Sequence, residues 1–321
     1  MKKRILITGG SGFIGTNIIE YYKDKFELLN IDIETPRNKE QQDYWKKVDI
    51  NNKEELLNTF LDFNPNYVFH MAARTDLNGK SLNDYSANIK GVENILHAIS
   101  KTNSIEKVVF ASSRLVCEIG YNPKDEYDYK PSTIYGESKI IGEKLVRDSK
   151  ILNKKWIIVR PTSLWGPWFD IPYKSFFDTI NKNLYFHPKG IKVYKKFGYI
   201  ENSVFILDKL MFNGNSLNAK TVYLSDFKML EVKKWADIIS NKFHGKNIKS
   251  LPLFVLKLIA YMGDTLKILG YKSPPLTSFR LNNILTNMDF NTQEVENIVG
   301  ILPYNLEEAT SKTYHWYQKN K

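Results

Sequence analysis

The chain is expected to fold as a doubly wound parallel α/β sheet with a smaller, mixed α/β lobe at its C-terminal end. Three observations lead there. Short apolar runs alternate with helix-period segments through the first half of the 321 residues, the pattern of parallel strands joined by crossover helices. A glycine cluster, Gly9-Gly10-Ser11-Gly12-Phe13-Ile14-Gly15, sits where the first strand must turn into the first helix. Past Pro161 the alternation fades, and Pro167, Pro172 and Pro188 punctuate an aromatic-rich region.

The elements follow in order. Arg4–Thr8 reads as a strand, Phe13–Lys23 as a helix and Glu27–Asp32 as a second strand. Asn51-Asn52-Lys53-Glu54-Glu55 has the side chains to cap a helix running to Asp62. Tyr67–His70 is a strand, Asp84–Ser100 a long helix and Lys107–Ser112 a buried strand. Thr133–Ser149 reads as helix, Trp156–Arg160 as strand, and Thr221–Leu224 as a late strand. The greasy stretch Leu251–Leu269 is interrupted by Lys257, Asp264 and Lys267, whereas a spanning helix needs ~20 mostly apolar residues. The stretch is expected to form a packed helix pair, and an amphipathic basic helix also has the make-up to lie on lipid.

Composition narrows the class. Hydrophobic residues make up 42% and charged residues 25%, which excludes a disordered chain. The lone Cys117 excludes a disulfide and a cysteine metal site, and fits a reducing, cytoplasmic setting. The formal charge of +11 suits an anionic partner, but the lysines are scattered and no zinc-finger or RNA-binding signature accompanies them, so no nucleic-acid role is expected. No integral membrane segment and no metal cluster are visible.

At the glycine turn, small residues let the backbone approach a pyrophosphate, and the helix N-terminus offers free N–H groups and its positive dipole end. Gly9, Gly12, Phe13, Ile14 and Gly15 are thus candidate dinucleotide contacts. Asp32 closes the second strand twenty residues after Gly12. A carboxylate there accepts hydrogen bonds from ribose hydroxyls and repels a 2′-phosphate, which favours NAD over NADP, while Arg37 and Lys39 keep NADP open. Residues 1–165 are expected to form the NAD-binding Rossmann domain and residues 166–321 the substrate lobe. Segments near 200–225 have the option of returning to the first domain.

Tyr135 and Lys139 stand four residues apart on one predicted helix, so they share a face. An ammonium beside a phenol lowers its pKa from ~10 and makes it a usable proton acceptor. That pair, on its own, is a common surface pattern; behind a dinucleotide half-fold and a strand ending in Ser112-Ser113, it points to catalysis.

These motifs, together with His70-Met71-Ala72-Ala73, Ala111-Ser112-Ser113 and Arg160-Pro161-Thr162, occur in an order that resembles the extended short-chain dehydrogenases/reductases, in their nucleotide-sugar epimerase/dehydratase branch. Phe279-Arg280 and the tail Leu302–Glu308 are similar to that branch's C-terminal pattern. The resemblance implies that Tyr135 is the acid/base, that Lys139 holds the nicotinamide ribose, and that Ser113 rather than Ser112 bonds the reacting sugar oxygen. It also implies that Asp49 and Ile50 meet the adenine, and that Ala72, Ala73, Arg74 and Pro161 line the NAD. Asn88 matches a family asparagine behind the site, with a structural role equally open. Arg114-Leu115 replaces the Asp-Glu pair of sugar dehydratases, which speaks against water elimination and puts Arg114 on the substrate side. Cys117 stands where the family has tyrosine, and Glu201-Asn202 departs from its usual pattern. Arg280 corresponds to an arginine that binds the substrate diphosphate, and Lys195 or Lys196 is a weaker candidate for the same task.

The expected reaction is hydride transfer on a nucleotide-diphosphate sugar by a homodimeric enzyme of polysaccharide biosynthesis. Epimerase and net-redox ketoreductase or dehydrogenase remain alternatives. A steroid-type alcohol dehydrogenase and a non-catalytic dinucleotide sensor are weaker ones. Trp165, Trp168, Phe169, Tyr173, Phe176 and Phe177 suit core packing better than base stacking, and His70 and His187 are expected to be structural.

Overall fold

The computed structural model describes residues 2–149, 154–170, 173–271, 274 and 276–320; Pro172 lies outside them. Seven parallel strands form the central sheet: β1 Arg4–Thr8, β2 Glu27–Asp32, β3 Trp45–Lys47, β4 Tyr67–His70, β5 Lys107–Ala111, β6 Lys155–Pro161 and β7 Thr221–Leu224. Their order is β7-β6-β5-β4-β1-β2-β3. The order reverses between β1 and β4, and a crevice outside the strands' carboxyl ends at such a switch point is where ligands bind.

Ile5, Leu6 and Ile7 are all fully buried, as a central parallel strand covered on both faces requires. The two-residue period sends Ile5 and Ile7 to one core and Leu6 to the other. The first core packs α1 Phe13–Tyr22 and α6 Ile200–Phe212 against the sheet; the second packs α2 Lys53–Phe63 and α3 Ser86–Lys101. α2 begins as its sequence suggests, with Asn52 Oδ1 accepting from the Glu55 amide at 3.3 Å. α3 starts at Ser86 rather than Asp84, because Ser81 and Asp84 form a capping box on a short 3-10 turn ahead of it. Edge strand β3, of sequence Trp-Lys-Lys, carries too little apolar pattern to be read in advance.

α4 Ile134–Asp148 crosses from β5 to β6. Beyond β6 come α5 Tyr173–Asn181 and α7 Val232–His244, followed by α8 Leu253–Ile268, α9 Ser278–Leu285, α10 Gln293–Val299 and α11 Leu306–Lys319. Among the described residues, three pairs of two-residue strands tie this region together. Leu251–Leu269 is a correction: it holds the single helix α8, not a helix pair, and α8 packs on α9 through Leu256, Ala260 and Leu281. A Cβ on Gly263 would lie 1.8 Å from the Leu276 carbonyl oxygen, so only glycine allows this approach. Trp165, Phe169 and Phe177 are core residues, and Trp165 packs against Trp235 with ring centroids 4.8 Å apart and planes tilted by 50°. Glu201-Asn202 also finds a reason: Asn202 exchanges hydrogen bonds with the backbone of Tyr304, at 2.9 and 3.0 Å, and Glu201 pairs with Lys312 at 2.6 Å. The two residues anchor the C-terminal segment to α6.

Candidate active site

The glycine turn is shaped by contacts that exclude any side chain. Gly9 has φ +71°, and a Cβ there would sit 2.5 Å from the Ala72 amide nitrogen. A Cβ on Gly15 would lie 2.4 Å from the Gly9 carbonyl oxygen, which fixes how closely α1 meets the loop. Gly12 caps α1 with no side-chain hydrogen bond, and the first turn carries no acidic residue. The amides at Phe13 and Ile14 therefore point, with the helix dipole, into the crevice at the end of β1. This cradle suits a pyrophosphate.

Asp32 stands at the end of β2, its carboxylate accepting from the amides of Ser11 (3.1 Å) and Glu34 (3.0 Å). Burial raises its pKa, against those amide bonds. One residue thus holds the glycine loop in place and presents a carboxylate at the crevice. Arg37 is turned away, donating to the Trp168 carbonyl at 3.1 Å with Asp170 beside it. Asp49 is exposed and caps the Asn51 amide (2.8 Å), whereas Ile50 is buried and packs against Gly91. Asn94 holds that loop by donating to the Ile50 carbonyl at 2.9 Å.

The Ala72–Arg74 segment is fixed at both ends. The Ala72 amide donates to Thr8 Oγ1 (3.2 Å), and the Thr8 hydroxyl shares a further hydrogen bond with His70 Nδ1 (2.7 Å). His70 is buried, and burial together with the Lys139 charge draws its pKa down to about 3, so it stays neutral. At the other end Asn88 accepts from the Arg74 amide (2.9 Å) and donates to the Arg74 carbonyl (3.0 Å) and Ser138 Oγ (2.9 Å). Asn88 thereby locks the loop after β4 to α4. The Arg74 side chain pairs with Asp76 at 2.7 Å.

α4 presents Tyr135, Lys139, Glu143 and Arg147 at four-residue intervals, one continuous stripe. The Tyr135 phenol is buried, and its pKa is pushed up to about 12; a hydrogen bond from Ser113 opposes that rise. The expected lowering by Lys139 is a correction. The Lys139 ammonium donates to the Ala111 carbonyl at 2.8 Å, and burial draws its own pKa down to about 8 despite the favourable charge of Glu143. Desolvation outweighs the one-turn spacing. Ser113 caps the short turn after β5 by accepting from the Leu115 amide (3.1 Å). Ser112 is buried and its hydroxyl finds no protein partner; it lines a small cavity with His70, Asn88, Lys139 and Glu143.

Below the pair lies a buried charge network invisible in the sequence motif. Glu143 grips Arg160 with two bonds of 2.8 Å, and accepts from Tyr129 at 2.8 Å. Arg147 stands 3.3 Å from the same carboxylate. Glu143 follows Lys139 by four residues, and that spacing was the available signal.

On the substrate side Arg114 is half-buried, flanked by Tyr173 and Tyr223, and burial lowers its pKa. Lys195 lies near enough to feel the Arg114 charge; burial brings it down to about 8, and its ammonium donates to the Asn283 carbonyl of α9 at 2.6 Å. Lys196 pairs instead with Asp289 at 2.8 Å. Arg280 lies on the exposed side of α9 and donates to the Pro274 carbonyl at 2.7 Å. Pro161 ends β6, half-buried. Tyr173, expected in the core rather than at a base, stands beside Arg114, and Tyr223 and Ser163, which bonds Tyr173, join the site without having been singled out for it. Among the described residues, no cluster of His, Cys, Asp or Glu is arranged to hold a metal ion.

Comparison with known proteins agrees with this geometry. The chain is 24% identical, over 98% of its own length and 96% of the other's, to the N-acetyl-α-D-glucosaminyl-diphospho-ditrans,octacis-undecaprenol 4-epimerase of Escherichia coli O157:H7. The next curated relatives are matched over little more than half their length. The fold is similar to the Thermus thermophilus UDP-glucose 4-epimerase in complex with NAD, with a TM-score of 0.73 and 20% identity over 98% of this chain and 99% of that one. It is similar also to the Bordetella bronchiseptica enzyme WbmG in complex with NAD and UDP, with a TM-score of 0.74 and 19% identity over 99% and 95% of the two chains. Residues 5–214 match the model of the NAD dependent epimerase/dehydratase family, and with the glycine cradle, Asp32 and the Tyr135/Lys139 stripe around one crevice, the chain belongs to that family of NAD-dependent enzymes.

Proposed function

We propose that the protein epimerises a hexose carried on a diphosphate, with Tyr135 moving the proton of the reacting hydroxyl. The observation that carries the reading is the convergence of Ser113, Tyr135 and Lys139 beside the glycine cradle, at the carboxyl ends of β1, β4 and β5. NAD, when bound, supplies the hydride acceptor and donor. The cradle at Gly9–Gly15, Asp32 and the Ala72–Arg74 segment would hold it, with Asp49, Ile50 and Pro161 along its edges.

The chain's own groups do the rest. Ser113 donates to the phenol oxygen and so favours the phenolate. Lys139, whose charge is supported by Glu143, stands one helix turn from Tyr135 and would hold the nicotinamide ribose next to it. Arg114 and Lys195 offer cations to the diphosphate, since charge-assisted bonds to phosphate are the strong ones. Arg114 in place of an acid also leaves no second carboxylate to eliminate water. Redox-neutral epimerisation requires the sugar to turn over between hydride transfers, and a site gripping the diphosphate rather than the ring permits it.

A nucleoside diphosphate is the first carrier to test. A lipid diphosphate is the second reading, favoured by the similarity over 98% of the chain to an epimerase of a lipid-linked sugar. The protein is incubated with NAD and UDP-, GDP-, CDP- and dTDP-hexoses, and anomeric protons are followed by NMR. Tyr135→Phe keeps the ring and is expected to lower turnover by ~10²–10⁴-fold while sparing NAD binding. Wild-type rates in that variant would refute the role of Tyr135.

A further inference from the structure

The outer face of α8 is at odds with the rest of the surface. Its inner face is ordinary: Leu256, Ala260 and Gly263 are buried against α9. A surface helix should then turn polar side chains outward. Instead Phe254 (73% exposed), Leu258 (62%), Tyr261, Met262, Ile268 (85%) and Leu269 all face solvent. Their spacing follows the helix turn by turn, so they form one stripe, interrupted only by Thr265, whose hydroxyl donates to the Tyr261 carbonyl at 3.0 Å. Phe279, at the start of α9, adds a further exposed ring. Contiguous exposed apolar surface of this kind marks an interaction site.

Charge selects the partner. From Gly245 to Met288 the sequence contains Lys246, Lys249, Lys257, Lys267, Lys272 and Arg280, and a single acid, Asp264. Asp264 is turned inward, accepting from the Ser278 amide at 3.2 Å. Lys257 borders the apolar stripe, Lys267 stands in the last turn of α8 next to Ile268, and both are exposed. An apolar stripe bordered by lysines fits an interfacial helix on an anionic lipid surface, its side chains in the headgroup layer and its ammonium groups on the phosphates. α8 has 16 residues, and no helix of the described residues is long and apolar enough to cross a membrane; the fit is to lying on the surface, not spanning it.

Position gives the contact a purpose. α9 lies between α8 and the catalytic crevice: Lys195, beside Arg114, donates to its Asn283 carbonyl, and Thr286 meets the loop at Gly120 that follows the Ser113 turn. We propose that α8 docks the protein on the surface of an anionic phospholipid membrane and so holds the Arg114–Lys195 end of the site at the headgroup level, where a lipid-borne diphosphate sugar presents its phosphates. This rests on the diphosphate-sugar reading above and names the carrier within it.

Flotation of the full chain through a density gradient tests the docking. The vesicles are phosphatidylcholine alone or phosphatidylcholine mixed with phosphatidylglycerol. The wild type is expected to float with the mixed vesicles and to stay largely behind with the neutral ones. Leu258→Glu/Ile268→Glu removes two aliphatic anchors from outward positions, and should weaken the partition by about 100-fold with an unchanged melting temperature and NAD affinity. Lys257→Glu/Lys267→Glu should abolish the preference for phosphatidylglycerol. A wild type that floats with neither vesicle overturns the proposal. So does an α8-dependent dimer that both variants dissociate without any flotation, which would assign the face to a second copy of the chain. Turnover of a soluble short-chain prenyl diphosphate sugar, measured in parallel without vesicles, is expected to be the same in all these proteins; its absence in the wild type would count against the epimerase reading, not against the docking.

Discussion

Replacing Glu143 by Gln should injure stability and chemistry together, because one carboxylate serves both. Glu143 and Arg160 each have side chains only 1% exposed, and the guanidinium meets both carboxylate oxygens at 2.8 Å. Removing one partner of such a pair leaves a buried charge uncompensated, at a cost of ~3–5 kcal/mol. Glutamine retains one oxygen for Arg160 or the Tyr129 hydroxyl, so the lower end, about 3 kcal/mol, is expected in urea unfolding followed by tryptophan fluorescence. The second effect reaches Lys139, whose pKa of about 8 is already drawn down by burial and supported by the Glu143 charge. Without that charge it falls further, the ammonium is lost at lower pH, and the basic limb of the kcat/KM profile moves toward neutrality. Replacing both partners, as Glu143→Leu/Arg160→Met, should recover much of the lost stability, as paired replacements of buried ions do, but not the pH profile. A Glu143→Gln protein with wild-type unfolding and an unmoved basic limb would refute the coupling between the buried pair and Lys139.

Two further outcomes follow from individual carboxylates. Asp32→Asn removes the negative charge that would face a 2′-phosphate and leaves one acceptor oxygen, for either the Ser11 amide (now on Oδ2) or the Glu34 amide (now on Oδ1). NADH should bind about tenfold more weakly through loss of a charged hydrogen bond, and the preference over NADPH should shrink; calorimetric titration showing an unchanged preference would remove Asp32 from cofactor choice. Asp226 is half-buried, and desolvation lifts its pKa from 3.8 to about 7, although the Tyr199 amide (3.1 Å) and Asn202 (3.2 Å) donate to it. The folded state therefore holds a proton that the unfolded state has released, so this group's contribution to stability is complete below about pH 4 and is lost as pH rises through about 7. Asp226→Asn keeps the acceptor oxygen and cannot ionise; its melting temperature should exceed the wild type's at about pH 8 and converge with it near pH 4. A gain that is the same at both pH values would mean the charge at Asp226 is not the cause.

What the sequence determined by itself was everything written in local spacing. Gly9, Gly12 and Gly15 between a strand and a helix, Asp32 at the end of the next strand, Ser113 after β5 and the Tyr135/Lys139 interval each depend on a few neighbouring residues, and backbone geometry translates such intervals directly into a turn or a shared helix face. Only the tertiary structure decided what those groups experience. Tyr135 has its pKa raised rather than lowered because packing desolvates it, and Lys139 bonds the Ala111 carbonyl across the crevice. Glu143 meets Arg160 and Tyr129 because β6 and the loop before α4 fold against that helix. Lys195 comes to Arg114 from 81 residues away in the chain. α8 was legible as apolar and basic, yet which of its faces stays bare was fixed only when α9 covered the other. Burial and the meeting of distant charges are sums over the packed chain, and no interval along the sequence encodes them.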